Sequence, residues 1–72
     1  MWYEMEYGIF REEDPIRFEI RLDDSNFVLT GFDKRTGRQV MKSNIMNRDP
    51  IFVEQEADLK IKQAKENGVW PT

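Results

Sequence analysis

Cysteine and histidine are both missing from this chain of 72 residues. Without cysteine there is no disulfide to brace a small fold, and no thiolate to bind a metal or attack a substrate. Without histidine the commonest general base near neutral pH and the commonest metal ligand are gone. Zinc sites, Ser-His-Asp triads and Cys-His pairs are therefore excluded by composition, whatever the fold. Long apolar runs are missing too. No stretch approaches the ~18 residues that a membrane span requires. The opening Met1-Trp2-Tyr3-Glu4-Met5-Glu6 is acidic and mixed, without the basic start and apolar stretch of a signal peptide. A soluble, cytoplasmic protein with no membrane partner is the expectation.

No repeat, low-complexity tract or linker interrupts the sequence, which reads as a single domain over residues 1–72. A domain of this size buries only roughly 60% of the surface its unfolded chain exposes, so its stability is thin. Five Phe, two Trp and two Tyr supply core material, although 35% of the residues are charged. The apolar residues fall into periodic segments, which argues against disorder.

The net charge of -3 is unevenly placed. Residues 1–24 hold eight acids against three arginines, whereas residues 33–49 hold Lys34, Arg35, Arg38, Lys42 and Arg48 against Asp33 and Asp49. An acidic first third thus precedes a basic middle. Such asymmetry marks a partner surface or, more plainly, an ordinary solvated one.

Apolar periodicity predicts strands at about 3–10, 16–23, 27–32 and 38–42 and a helix at about 50–67. In the first, Tyr3, Met5, Tyr7 and Ile9 alternate with Glu4, Glu6, Gly8 and Phe10. Arg11 to Pro15 then reads as a break, with Asp14-Pro15 suited to a type I turn. The clearest alternation follows: Ile16, Phe18, Ile20 and Leu22 against Arg17, Glu19, Arg21 and Asp23. Asp23 to Asn26 supplies the next turn. Between the last two strands, Asp33-Lys34-Arg35-Thr36-Gly37 reads as a hairpin loop, closed by Gly37 at positive φ. Pairing Phe32 with Arg38 would put Val28, Thr30, Phe32, Arg38, Val40 and Lys42 on one face, and Phe27, Leu29, Gly31, Gln39 and Met41 on the other.

Asp49-Pro50 is a helix start, with Asp as N-cap and Pro at the first helical position. Val53, Ala57, Ile61 and Ala64 then share one stripe. Gly68 fits the left-handed residue past the end, with Val69 folding back onto the last turn and Pro71 preventing continuation. Leu59-Lys60-Ile61-Lys62 also alternates like a strand, but the breaker-free context favours the helix. The fold class expected is α+β: an antiparallel β-meander of three to four strands with one C-terminal helix packed on one face, in the order ββββα. The helix would cover Phe18, Ile20, Leu22, Leu29 and Met41.

The chemistry-bearing groups left are carboxylates, hydroxyls and lysines. Glu12-Glu13-Asp14 and Asp23-Asp24 lack the loop spacing of an EF-hand and read better as turn chemistry than as a cation site. No phosphate-binding glycine motif is present. Enzymatic function, metal and cofactor are therefore not expected.

Two binding readings remain. In the first, Phe10, Val28, Phe32 and Val40 form an exposed apolar group rimmed by Arg38 and Lys42, a protein-contact patch. In the second, Lys34, Arg35, Arg38, Lys42 and Arg48 of the basic segment 34–48 meet phosphates, with Phe32 or Val40 touching bases. The Asp33-Lys34-Arg35-Thr36-Gly37-Arg38 turn resembles the hairpin of the small arm-binding domains of some phage integrases, over about residues 27–67. That resemblance implies a sheet-face DNA reader. The acidic residues Glu4, Glu6 and Glu19 argue against it, and Lys and Arg on an edge strand also serve simply to deter pairing. Trp2 and Trp70 are either anchors for a partner or rim residues of the core.

The leading expectation is a small non-enzymatic protein-binding module. It would be an inhibitor or accessory factor of phage or mobile-element type, acting on a partner protein such as a nucleic-acid-handling enzyme. Its partner-binding residues would be Phe32, Lys34, Arg35, Arg38, Val40 and Lys42. The alternative is a nucleic-acid-binding domain using the hairpin. Homo-oligomerisation through a strand edge is a further route.

Overall fold

A computed structural model of the chain describes residues 1–68; residues 69–72 lie outside the described residues, and with them the fold-back of Val69, the role of Trp70 and the stop at Pro71. Five strands precede one helix: β1 (Tyr3–Met5), β2 (Gly8–Glu13), β3 (Ile16–Asp23), β4 (Asn26–Asp33), β5 (Gln39–Ile45) and α1 (Pro50–Glu66). The strands form one antiparallel meander in the order β1-β2-β3-β4-β5. The α+β class with a C-terminal helix on one face is as expected, with five strands in place of three to four.

The extra strand comes from a hairpin inside the first predicted strand. Met5 pairs with Gly8, so Glu6 and Tyr7 form a two-residue turn. The turn reverses the chain and changes the parity of the faces. Tyr3 lies opposite Phe10, and Glu4 opposite Ile9. Tyr3 and Met5 therefore do not share a face with Ile9, as uninterrupted alternation would require. Strand β2 also runs on through Arg11 and Glu12 to Glu13, where a break was expected. The Asp14–Pro15 peptide is cis.

Gly8 is required by close approach. A Cβ on it would lie 2.0 Å from the Ile20 carbonyl oxygen, which belongs to the backbone of the neighbouring strand. Gly37 is required by conformation instead: its φ is +74° and the space around it is open.

The core is a single layer between sheet and helix. It comprises Ile16, Phe18 and Ile20 of β3, Leu29 of β4, Ile45 of β5, and Val53, Ala57 and Ile61 of α1. The three β3 residues alternate as the period of two demands, and the helix residues recur at a spacing of four. Ala57 is fully buried, so the helix backbone sits close to the sheet there. Trp2, Ile9, Phe27, Val40 and Met41 pack against the margin of this layer. Leu22 is not covered by the helix, contrary to expectation; it is 60% exposed.

The helix is held at its ends as its sequence suggests. The Asp49 carboxylate accepts from the Ile51 N–H at 3.1 Å, Pro50 occupies the first turn, and Gly68 has φ +73°. The Glu56 carboxylate accepts the N–H groups of Met46 and Asn47 at 2.9 and 3.1 Å, which pins the β5–α1 connection to the helix it leads into. Across the sheet, Asp58 accepts from Trp2 Nε1 at 3.0 Å and from Arg11 at 2.6 Å, and Lys65 pairs with Glu13.

The two glycines are expected to respond differently to alanine. Gly37→Ala places a side chain at positive φ in open space and is expected to cost about 1 kcal/mol. Gly8→Ala must push apart two paired backbones and is expected to cost about 2–3 kcal/mol. Urea melts followed by circular dichroism compare the two directly, and a Gly8→Ala protein as stable as the wild type would contradict the β2–β3 approach described.

Candidate protein-contact face

Among the described residues, one face of the sheet lies under the helix and the other is uncovered. The registers assign residues to the uncovered face without ambiguity, because directly paired residues share a face. Tyr3 lies opposite Phe10, Phe10 opposite Glu19, Glu19 opposite Thr30, and Thr30 opposite Lys42. A second row runs from Glu12 through Arg17 to Phe32, and a third from Gly8 through Arg21 to Val28 and Asn44. Phe10, Val28, Thr30 and Phe32 are half-buried in the plane of this face, and Tyr3 at its edge is 55% exposed.

The centre of the face is an ordered aromatic and arginine assembly. The Arg17 guanidinium sits 4.0 Å from the Phe10 ring centroid. Tyr3 also packs against Phe10, with the two ring centroids 5.7 Å apart. Contacts of the Arg17–Phe10 kind contribute about 0.5–1 kcal/mol at partly exposed sites. Glu19 links two cations: it accepts from Arg17 Nε at 3.0 Å and from Arg21 Nε at 3.0 Å. Burial pushes the Glu19 carboxyl upward, but the hydrogen bonds from Arg17 and Arg21 outweigh it and hold the group below the usual carboxylate range. These side chains are pre-positioned, so a partner docking here would lose less side-chain entropy on contact.

The six residues singled out by sequence do not all lie on one face. Phe32 lies on the uncovered face opposite Arg17. Lys42 lies on the same face beside Thr30 and is exposed. Val40 does not. The β4–β5 register shifts at Gly31/Phe32, where Phe32 pairs with Gln39 and Gly31 with Met41, so Val40 is the extra residue of a bulge. It packs against the core layer. The expected pairing of Phe32 with Arg38 is thus displaced. Along most of β4 the slip is by two residues, which preserves the faces, and only at the bulge does it change them.

The hairpin cations divide in two. Lys34 is held between Glu12 and Asp14 at 2.6 Å each, and its hydrogen bonds to Asp14 and Glu12 raise its pKa. Its N–H donates to the Pro15 carbonyl at 2.9 Å, which docks the loop on the β2–β3 turn. Arg35 folds back on Asp33 at 3.0 Å, and the Asp33 carboxylate also accepts the Arg35 N–H at 2.9 Å. Asp33 is only 5% exposed, and the Arg35 guanidinium and N–H hold its carboxyl below the usual range. The Asp33 carbonyl accepts from Gly37 at 2.7 Å, so one residue organises the whole loop. Arg38, Lys42 and Arg48, by contrast, have no carboxylate within 4.0 Å among the described residues.

The acidic turn residues serve as structural partners. Glu12 and Asp14 hold Lys34, and Glu13 meets Arg11 and Lys65. Among the described residues no three acidic side chains gather as a metal site would need, and no helix is long and apolar enough to cross a membrane.

These pairs fix the sign of the acid response. Asp33, Glu19 and Glu56 all have lowered folded-state pKa values. Each therefore adds stability that is fully present above the ordinary carboxyl range, about pH 4, and is lost as pH falls through the lowered values. Lys34 and Arg35 are raised, so their contribution is complete below about pH 10 and fades only above it. The chain has no histidine, the side chain whose unperturbed pKa lies between. The thermal midpoint is expected to be flat from about pH 5 to 9 and to fall below about pH 4, with a shallower acid limb in Glu19→Gln. A midpoint that changes steeply near neutrality would contradict this assignment.

No protein-family model matches the chain, and no curated protein or solved structure matches it either.

Proposed function

We infer that the chain is a small protein-binding module whose uncovered sheet face seats a partner protein, so that it acts as an inhibitor or accessory factor by occupying that partner. One observation carries the reading. The face left free by the helix holds a pre-positioned aromatic and arginine centre, Phe10, Arg17 and Phe32, where a one-sided antiparallel sheet ordinarily presents polar residues. Aromatic residues and arginine supply most interface hot spots, above all where they are already ordered. The acidic first third suits a partner with a basic surface, such as a nucleic-acid-handling enzyme of the kind phages and mobile elements target. A cytoplasmic setting fits a chain without cysteine.

The nucleic-acid reading has one observation in its favour: Arg38, Lys42 and Arg48 have no carboxylate within 4.0 Å among the described residues. Two others weigh against it. Lys34 and Arg35 are already neutralised by carboxylates, and Glu12 and Glu19 lie on the same face as Lys42. A phosphate backbone would meet both charges there.

Affinity capture from the source cell, with and without nuclease, separates the readings. The expected result is a protein partner retained after nuclease and weakened at least tenfold by Phe32→Glu, at a circular dichroism spectrum unchanged from wild type. Capture that vanishes with nuclease, together with a salt-dependent gel shift abolished by replacing Arg38, Lys42 and Arg48, would establish the nucleic-acid reading in its place.

A further inference from the structure

The helix-covered side of the sheet has an opening of its own. Between the β1–β2 hairpin and the first turns of α1 lies a cleft of about 360 Å³. Trp2, Ile9, Ile20, Phe27 and Val53 give it an apolar wall that includes two aromatic rings. Trp2, Ile9 and Phe27 remain half-buried, so the surface they offer is not used up by the core. The volume falls within the range of small-ligand sites. Among the described residues, the charged side chains on its lining are Glu4 and Glu54, one from the hairpin and one from the helix. Neither has a basic group within 4.0 Å among the described residues. An anion is disfavoured twice. Both lining charges repel it, and the helix N-terminus that would attract it is already capped by the Asp49 carboxylate.

We propose that this cleft binds a small organic ammonium ion with an apolar body, the body against Trp2, Ile9 and Phe27 and the ammonium between Glu4 and Glu54. The chemistry of the lining selects for it. Aromatic faces attract a cation as well as an apolar group, and two unpaired carboxylates supply charge-assisted acceptors. The site is on the opposite side of the sheet from the protein-contact face, and it stands whether or not that face has a partner.

Titration of the isotopically labelled protein with phenethylammonium, followed by nuclear magnetic resonance, tests it. Saturable shifts are expected at the Trp2 indole and at the Ile9 and Val53 methyl groups, with little change at Val28 or on the uncovered face. Phenylacetate and phenethyl alcohol, of the same shape but without the cation, are expected to bind at least about tenfold more weakly. The double variant Glu4→Gln/Glu54→Gln alters only surface carboxylates. It is expected to weaken phenethylammonium about tenfold and to leave phenethyl alcohol unchanged. Equal binding of all three compounds, shifts centred elsewhere, or no saturation would overturn the proposal. A short peptide with an N-terminal phenylalanine that binds about tenfold more tightly than the free amine would overturn it too, by making the cleft a protein contact.

Discussion

The structure depends on one thin apolar contact. A stripe of three helix residues, Val53, Ala57 and Ile61, lies against Ile16, Phe18, Ile20, Leu29 and Ile45 of the sheet. The chain has no cysteine, and among the described residues no second core layer assists it. Hydrophobic burial is the dominant favourable term in folding, and a chain of this length has little to spare. The polar contacts reinforce that contact at its margins. Asp58 ties the helix to Trp2 and Arg11, Lys65 ties it to Glu13, and Glu56 ties it to the connection from β5. The helix is thereby fixed in direction as well as in position.

How much of this could be read from the sequence varied with the range of the physics involved. Ile16, Phe18 and Ile20 were legible because alternation is local and their neighbours Arg17, Glu19 and Arg21 are all charged. The helix was legible from Asp49-Pro50 at one end and Gly68 at the other, again local signals. The Glu6-Tyr7 turn was not. It has neither glycine, proline nor asparagine within it, and apolar Tyr7 continues the alternation of Tyr3 and Met5 straight through the reversal. The last residues of β5 were hidden in the same way, since Ser43-Asn44 reads as turn chemistry while Ile45 beyond it belongs to the core. Of the uncovered face, Phe10, Val28 and Phe32 followed from parity. Val40 did not, because one inserted residue changes the parity and nothing in the sequence marks where it sits.

The same distinction explains why charge in the sequence is a poor guide to charge on the surface. Lys34 stands in a basic run, yet its partners, Glu12 and Asp14, lie in the preceding acidic third. They meet because β3 is as long as β4, so that the turn before the one strand returns beside the loop after the other. The hydrogen bond from the Lys34 N–H to Pro15 records that alignment. Arg35 and Asp33 are cancelled locally in the same loop. What remains of the basic segment is Arg38, Lys42 and Arg48. The contrast between acidic and basic thirds is therefore partly internal: it helps to hold the meander together before any partner is considered.

Both open surfaces follow from a mismatch of widths. Five strands spaced about 4.8 Å apart make a sheet about 19 Å across, whereas a helix with its side chains is only about 10–12 Å in diameter. One helix cannot cover even one face of such a sheet completely, and among the described residues no second helix lies on the other. On the covered side the shortfall appears at the corner where β2, β3 and β4 meet the start of α1, leaving Leu22 exposed and Ile9 and Phe27 half-buried. On the uncovered side it leaves the whole face. A chain under no functional demand would be expected to fill that face with small polar and charged residues, since these favour solubility. Arg21, Asn44 and Lys42 conform. Phe10, Val28 and Phe32 do not, and Arg17 is arranged over one of them in a geometry that stabilises the apolar group without hiding it. The departure from the polar pattern lies on β2 and β4, on either side of the charged central strand β3, so that Arg17 is flanked by Phe10 and Phe32.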